Sequence, residues 1–300
     1  MIYTVTFNPA IDYVVELVSF SIGEINRTTR EYMNLGGKGV NVSRVLTNLE
    51  VPNVALGFVA GFTGDALRNG LERMGVKTDF ISLEEGNTRI NVNIKGVEET
   101  DINARGPEIP NSAIDELFKK LDNLQSGDTL VLAGSIPTSL PNDMYERIME
   151  RLYGKGIRFV VDATRDLLVK SLKYEPFLIK PNNHELGEIF GLELTTDNEI
   201  IYYARELKKQ GAKNVLISMA GDGAILVDEN DVAHKIGTPK GKVKNSVGAG
   251  DSMVAGFCAG YLEKGDYKYA LRMGTAAGSA SAFSESLATK QEVIDLLNKI

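Results

Sequence analysis

The sequence predicts an α/β protein, a doubly wound and mainly parallel sheet with helices on both faces and a small antiparallel β lid. Two observations carry this. Short apolar runs alternate with longer stretches of helical period almost throughout, which is how strands joined by crossover helices read. Three segments break that rhythm: Asp12–Val18, Arg30–Leu35 and Thr88–Lys95 alternate in polarity and have no crossover helix between them and a neighbour. They suit a small sheet projecting from the main one, with lid strands drawn from about 12–18, 30–35 and 88–104. No internal repeat, low-complexity tract or Pro/Ser linker divides the chain, so residues 1–300 are expected to form a single domain.

The elements follow in order. Ile2–Phe7 reads as a buried first strand and Gly39–Leu49 as a helix opened by a glycine turn. Asn53–Val59 is a strand and Thr63–Met74 a helix. Strands are expected at 128–132, 157–162, 177–179 and 213–218, with helices over 142–153 and 197–210. The last third reads as two glycine- and alanine-rich helices, 249–264 and 267–284, and an amphipathic helix near 290–299. Small residues such as Ala255, Gly256, Ala259, Gly260, Ala276, Ala277 and Gly278 let the first two lie close to the sheet.

Composition bounds the function. Hydrophobic residues are 43% and charged residues 24% of the chain, as in an ordinary globular protein. The formal charge of −7 leaves no global basic field for nucleic acid, so an anionic ligand needs local cations or backbone amides. Cys258 is the one cysteine, which rules out an internal disulfide and fits a reducing, cytoplasmic setting. His184 and His234 are the two histidines, too few for a multi-histidine metal site. The N-terminus has no basic n-region followed by an apolar h-region. The uncharged stretches 129–142 and 273–284 fall short of the ~20 apolar residues of a membrane span. The lid strands have the character of edges that pair with another copy, so a homodimer through the lid is expected.

Several catalytic signatures are absent. The sequence has no G-x-x-x-x-G-K-[ST] phosphate loop and no G-x-S-x-G elbow. His184-Glu185-Leu186-Gly187-Glu188 lacks the second histidine of a zinc protease helix. Asn8-Pro9-Ala10, not G-x-G-x-x-G, follows the first strand.

Four segments carry chemistry instead. Gly36-Gly37-Lys38-Gly39-Val40-Asn41 opens a helix; consecutive glycines allow close approach to a polar ligand and leave first-turn N–H groups free. A glycine loop with a solvated lysine is the plainer reading. Ser246-Val247-Gly248-Ala249-Gly250-Asp251-Ser252 can aim successive N–H groups at an anion, with the positive end of a helix beginning near Ser252 behind them. Asp251 then reads as a base for a hydroxyl, or as a helix N-cap. In Lys180-Pro181-Asn182-Asn183-His184-Glu185, Asn182 and Glu185 either face one hydrated Mg²⁺ or form a capping box. Ser218-Met219-Ala220-Gly221-Asp222-Gly223 is a hairpin turn between two strands on which a nucleotide can lie. Arg27, Arg89 and Arg105 fall on or beside the lid, solvated singly but able to clamp a phosphate together.

Taken in this order, the segments resemble the ribokinase-like carbohydrate kinases of the PfkB group. Gly36 to Arg44 is similar to their N-terminal signature, Ser246 to Ser252 to the C-terminal one, and Asn182 to Glu185 to their N-x-x-E element. The likeness covers essentially the whole chain. Asn8 to Asp12, Thr88 to Val92, Glu99 to Asn103 and Gly106 to Ile109 resemble the branch that takes already phosphorylated ketoses.

The resemblance implies a ribokinase-like fold and transfer of the γ-phosphoryl group of MgATP to the C6 hydroxyl of fructose 1-phosphate. Tagatose-6-phosphate kinase and a non-catalytic sugar-phosphate sensor stay open beside it. It makes Asp251 the base and Gly248, Ala249 and Gly250 the anion hole. It gives Asp12, Gly37, Lys38 and Asn41 to the sugar hydroxyls, and Arg27, Lys38 and Arg89 to the phosphate, with Asn103 and Ser135 nearby. Asn182 and Glu185 would organise Mg²⁺ through water, and Lys180 would approach the ATP phosphates. Ser218, Ala220, Gly221 and Gly223, with Gly248, Gly250, Ala277 and Ser281, would border the nucleotide. Two positions depart from the family pattern: Ala220 stands where relatives often have glycine, and Asn245 where many have an acidic residue.

Overall fold

A computed structural model of the protein describes residues 1–163 and 165–300. The first apolar run forms β1 (Ile2–Thr6), after which the chain builds two lid strands, β2 (Ala10–Glu16) and β3 (Arg30–Gly36). It returns through α1 (Lys38–Asn48) to β4 (Asn53–Ala60), α2 (Gly61–Arg73) and β5 (Ile81–Leu83). A second excursion adds β6 (Arg89–Lys95) and β7 (Thr100–Ile102) to the lid. The chain then runs through α3 (Asn111–Asp122), β8 (Thr129–Ala133), α4 (Met144–Leu152), β9 (Arg158–Asp162), α5 (Arg165–Ser171) and β10 (Leu178–Ile179). Next come α6 (Asn183–Phe190), α7 (Asp197–Lys209), β11 (Asn214–Ser218), β12 (Ala224–Val227) and β13 (Ala233–Ile236). Helices α8 (Ala249–Lys264), α9 (Tyr267–Phe283) and α10 (Lys290–Leu297) end it.

Nine strands form the main sheet in the order β13-β12-β11-β10-β9-β8-β1-β4-β5. All neighbours pair parallel except β11–β12 and β12–β13. Strand β1 is the switch point, because the chain first adds strands on one side of it and later on the other. Ligands of open α/β sheets bind outside the carboxyl ends of the strands at such a point.

Both faces of the sheet are apolar, and the alternation within a strand shows why. Leu130 and Leu132 of β8 join the core under α3 to α7, with Leu117, Ile148, Leu168, Leu186 and Leu207. Val131 between them joins the opposite core, under Val42 and Leu46 of α1 and Val254 and Phe257 of α8. Cys258 is buried on that side, and burial pushes its thiol up to about 12. Helix α3, which the reading of the sequence did not assign, buries Ala113, Ile114, Leu117, Phe118 and Leu121, one stripe at helical spacing. The small residues of α8 and α9 serve mostly the contact of these two helices with each other, where a Cβ on Gly256 would lie 2.6 Å from Met273 O and 2.7 Å from Ala277 Cβ.

The lid is a four-stranded sheet in the order β3-β2-β6-β7. Its outer pairs are antiparallel and its central pair, β2–β6, is parallel. A whole β4-α2-β5 unit separates β2 from β6, so no hairpin dictates their relative direction. One registered row, Asp12–Asn34–Asn91, alternates with the next, Ile102–Val92–Tyr13–Met33, on the other face.

Candidate active site

The sheet brings the chemical segments to its carboxyl edge. Strand β8 leads to Gly134 and Ser135, β9 ends at Asp162, β10 leads to Lys180 and Asn182, and β11 ends at Ser218. Between the lid and the body lies a cavity of about 410 Å³, lined among others by Asp12, Asn34, Asn41, Arg44, Asn103 and Ser246.

Helix α8 begins at Ala249, with Gly248 as its N-cap in the left-handed region (φ 78°). Asp251 is therefore in the third helical position, and the helix has no side-chain cap. The cap reading of Asp251 is thereby set aside. Its carboxylate accepts a hydrogen bond from Asn41 Nδ2 at 2.9 Å and is 6% exposed. Burial, then the charge of Asp162, raises its pKa to about 6, against the Asn41 bond and the ammonium groups of Lys38 and Lys180. A carboxylate at this value is ionised at neutral pH yet is a stronger base than a solvated one. Of the three expected anion-hole amides, Ala249 N–H already donates to Ser246 O at 3.2 Å. The Gly248 and Gly250 N–H groups have no protein acceptor among the described residues and point a helix start at the site.

Lys38 and Lys180 both reach the carboxylate of Asp162, at 3.4 Å and 3.3 Å. Burial would lower the Lys38 ammonium, but Asp162, Asp251 and Glu185 outweigh it and hold its pKa above the ordinary value. A Cβ on Gly250 would lie 3.4 Å from Lys180 Nζ, which places that ammonium beside the start of α8. Asp162 was not foreseen. Its one sequence signal is a lone carboxylate closing the apolar run Arg158–Asp162, and nothing local tells it from an ordinary strand end.

On the lid side, Asp12 accepts from Asn91 Nδ2 at 2.8 Å. Burial raises its pKa, partly offset by that bond and by Arg89. A Cβ on Gly36 would lie 2.5 Å from Asp12 Oδ2, so the end of β3 comes close to that carboxylate where it carries no side chain. Gly37 is the N-cap of α1 and places Lys38 and Asn41 in its first turn. Arg89 donates to Asn8 O at 3.1 Å and Ala104 O at 3.5 Å, and burial lowers its pKa. Asn8 in turn donates to Arg105 O, so the Asn103–Gly106 segment folds over Asn8 beside Arg89. Arg27 lies on the exposed connection between β2 and β3 and lines no part of the cavity. The structure does not gather the three expected clamp residues Arg27, Lys38 and Arg89 into mutual contact.

Asn182 and Glu185 form a capping box at the start of α6: Asn182 Oδ1 accepts from Glu185 N, and Glu185 Oε2 from Asn182 N, both at 2.8 Å. That uses one oxygen of each. Ala220 sits in the turn between β11 and β12 with φ 46°. It holds the left-handed conformation that glycine takes freely, at a cost of about 1 kcal/mol. Gly221 stays exposed there, and Gly223 closes the turn. Ala277 and Ser281, expected to border the nucleotide, face neighbouring helices and the turn before α10 in this structure. Ala277 is fully buried against α8, and Ser281 Oγ is buried between Ser252 Oγ at 2.7 Å and Ala288 N at 2.8 Å. Their small size serves helix packing. Asn245 Oδ1 accepts from Val247 N at 3.1 Å and shapes the loop before α8.

The comparisons agree with this architecture. The profile of the pfkB family of carbohydrate kinases matches residues 5–293. The chain is 46% identical over 300 residues to the 1-phosphofructokinase of Bacillus subtilis, covering all of this chain and 98% of that one. It is 39% identical over 289 residues to a D-tagatose-1-phosphate kinase of Bacillus licheniformis, covering 96% and 94%. Among solved structures, phosphofructokinase-2 from Escherichia coli in complex with substrates and products superposes with a TM-score of 0.92 at 27% identity, covering 99% of this chain and 98% of that one.

Proposed function

The chain belongs to the pfkB family of carbohydrate kinases and is a phosphotransferase of ribokinase-like fold, and from that premise we propose that it phosphorylates fructose 1-phosphate at the C6 hydroxyl, giving fructose 1,6-bisphosphate and ADP. Asp251 carries the reading: a buried base of raised pKa in the first turn of α8, beside amides with no protein acceptor and two fixed ammonium groups. The identity to a 1-phosphofructokinase supports the substrate.

Asp251 takes the proton of the attacking hydroxyl, while the Gly248 and Gly250 amides and the positive end of α8 hold the charge of the transferring group. Asp12, Asn41 and Asn103 orient the sugar, with Ser135 in the turn that follows β8. Arg89 and Lys38 supply positive charge for its phosphate, and Lys180 for the nucleotide's. Mg²⁺ fits the donor set: Asn182 and Glu185 at the start of α6 offer oxygen ligands, which suits a hard ion that keeps most of its waters. Asn182 and the second oxygen of Glu185 would hold it through water, and it would neutralise phosphoryl oxygens of ATP.

A related ketose 1-phosphate is the second reading. The sequence pointed to tagatose 6-phosphate as the rival, whereas the relative found is named for tagatose 1-phosphate. ADP release should be measured with fructose 1-phosphate, tagatose 1-phosphate, tagatose 6-phosphate and fructose 6-phosphate. Fructose 1-phosphate is expected to give the highest kcat/KM, by about tenfold or more, the scale on which a pocket discriminates close analogues. A higher value for another acceptor reassigns the substrate, and no ADP release with any of them removes the reading.

The lid supports a homodimer. The row Ile102–Val92–Tyr13–Met33 runs across all four strands, and Ile102 and Met33 stand exposed. The same apolar patch on a second copy is self-complementary about a two-fold axis. Met33→Asp should convert a dimer to a monomer in light scattering after size exclusion. A wild-type monomer, or an unshifted mass in the variant, excludes this interface.

A further inference from the structure

We propose that Asp162 is a positioning residue for phosphoryl transfer, pinning the ammonium groups of both Lys38 and Lys180 at the carboxyl edge of the sheet beside Asp251. The proposal rests on the phosphotransfer reading above and goes beyond it, since Asp162 belongs to none of the glycine signatures and none of the segments that carried that reading.

The geometry is specific. Asp162 closes β9 and is 2% exposed. Its Oδ1 alone serves both lysines, at 3.4 Å and 3.3 Å, while Oδ2 has no hydrogen-bond partner among the described residues. A buried carboxylate with one oxygen unspent is a poor device for stability; two apolar side chains of the same volume would do as well or better. It is a good device for holding two cations. Lys38 comes from the first turn of α1 and its side chain is 42% exposed, so without Asp162 its four-carbon stem is free to turn to water. Lys180 is 6% exposed, and its buried ammonium has Asp162 Oδ1 as its ion-pair partner. One residue thus holds both ammonium groups in place.

The same charge acts on the base. The titratable and charged groups facing Asp251 are Lys38 from α1, Lys180 after β10 and Asp162 at the end of β9, with Asn41 as its hydrogen-bond donor. After burial, Asp162 contributes the largest upward push on Asp251. Removing that charge leaves Asp251 facing only cations and should make it a weaker base.

The test is the pH dependence of kcat/KM, read as ADP release with fructose 1-phosphate and MgATP, in the full chain with Asp162→Asn. Expected are a tenfold or greater fall in kcat near pH 7.5 and a shift of the acid limb to lower pH by half a unit or more. A merely structural role would lower the melting temperature and leave the acid limb in place. A folded variant with an unmoved limb and kcat within threefold of wild type overturns the proposal, as does an unmoved limb with any loss of kcat that tracks loss of folded protein. Should Asp162→Asn not fold, Asp162→Glu keeps the charge but displaces it by one methylene. It should leave the acid limb in place and cost at least fivefold in kcat, whereas kcat within twofold, or a displaced limb, overturns the proposal. Failure of the kinase reading is separate, because it would appear as an inactive wild type.

Discussion

Asp251→Asn should lower kcat by two to four orders of magnitude, the range of general acid–base catalysis, with little change in either KM. The side chain touches the acceptor hydroxyl in the mechanism and contributes no helix cap, so its loss falls on the transition state rather than on binding. A loss under tenfold in a folded variant would remove Asp251 as the base. The same substitution should stabilise the fold. Folding raises this carboxyl from 3.8 to about 6, so the protonated form is favoured in the native state. Its contribution to stability is fully present below about pH 4 and is lost as pH rises through about 6. At pH 7.5 the wild type therefore carries an ionised, buried carboxylate that an amide avoids, while the amide can still accept from Asn41. The melting temperature of Asp251→Asn should exceed that of wild type at pH 7.5, and the gap should close as pH falls toward 4. A variant that melts lower at pH 7.5 would show that the carboxylate is not destabilised where it stands.

Gly256→Ala is expected to cost about 3 kcal/mol, the upper end for overpacking. The added methyl would meet Met273 O at 2.6 Å, Ala277 Cβ at 2.7 Å and Gly274 Cα at 3.0 Å. Two of these are backbone atoms and cannot swing aside, so α8 and α9 must separate. Gly237→Ala is the control, with nothing within 4 Å of its new Cβ and an ordinary φ. Urea denaturation should place the midpoint of Gly256→Ala well below both wild type and the control; coincident midpoints would refute the close packing of the helices. Because α8 carries Gly250 and Asp251 in its first turn, a shifted helix should also lower kcat.

Most of the fold was legible because each covered strand shows as an apolar run and each crossover helix as a stripe. Helix α8 falls where the glycine- and alanine-rich stretch ends and begins in the sequence, and the lid strands β3 and β6 lie within a residue or so of their alternating segments. Strand β2 is two residues earlier than expected, at Ala10–Glu16, since alternation alone does not mark where pairing starts. The helices α3 and α5 carry ordinary amphipathic stretches that no motif drew out. In the site, Asp251, Asn41 and Lys38 were legible because glycines flank them and glycine loops stand out. Asp162 was not, because its meaning comes from lysines that lie 124 residues before it and 18 residues after it in the chain. Ala277 and Ser281 are ambiguous for the opposite reason: small residues at helical spacing are written the same way for a ligand as for a neighbouring helix. Asn182 and Glu185 show how one spacing can be read two ways, since the box that caps α6 leaves one Glu185 carboxylate oxygen outside it.

Cys258 is sealed against the sheet with its thiol held as the unreactive protonated form. The native chain should therefore be silent toward maleimide or iodoacetamide dyes under folding conditions. A fluorophore pair attached through two introduced surface thiols, one at Val97 of the lid and one at Lys213 of the body, would report any change in the distance between lid and body during turnover without first deleting a natural cysteine.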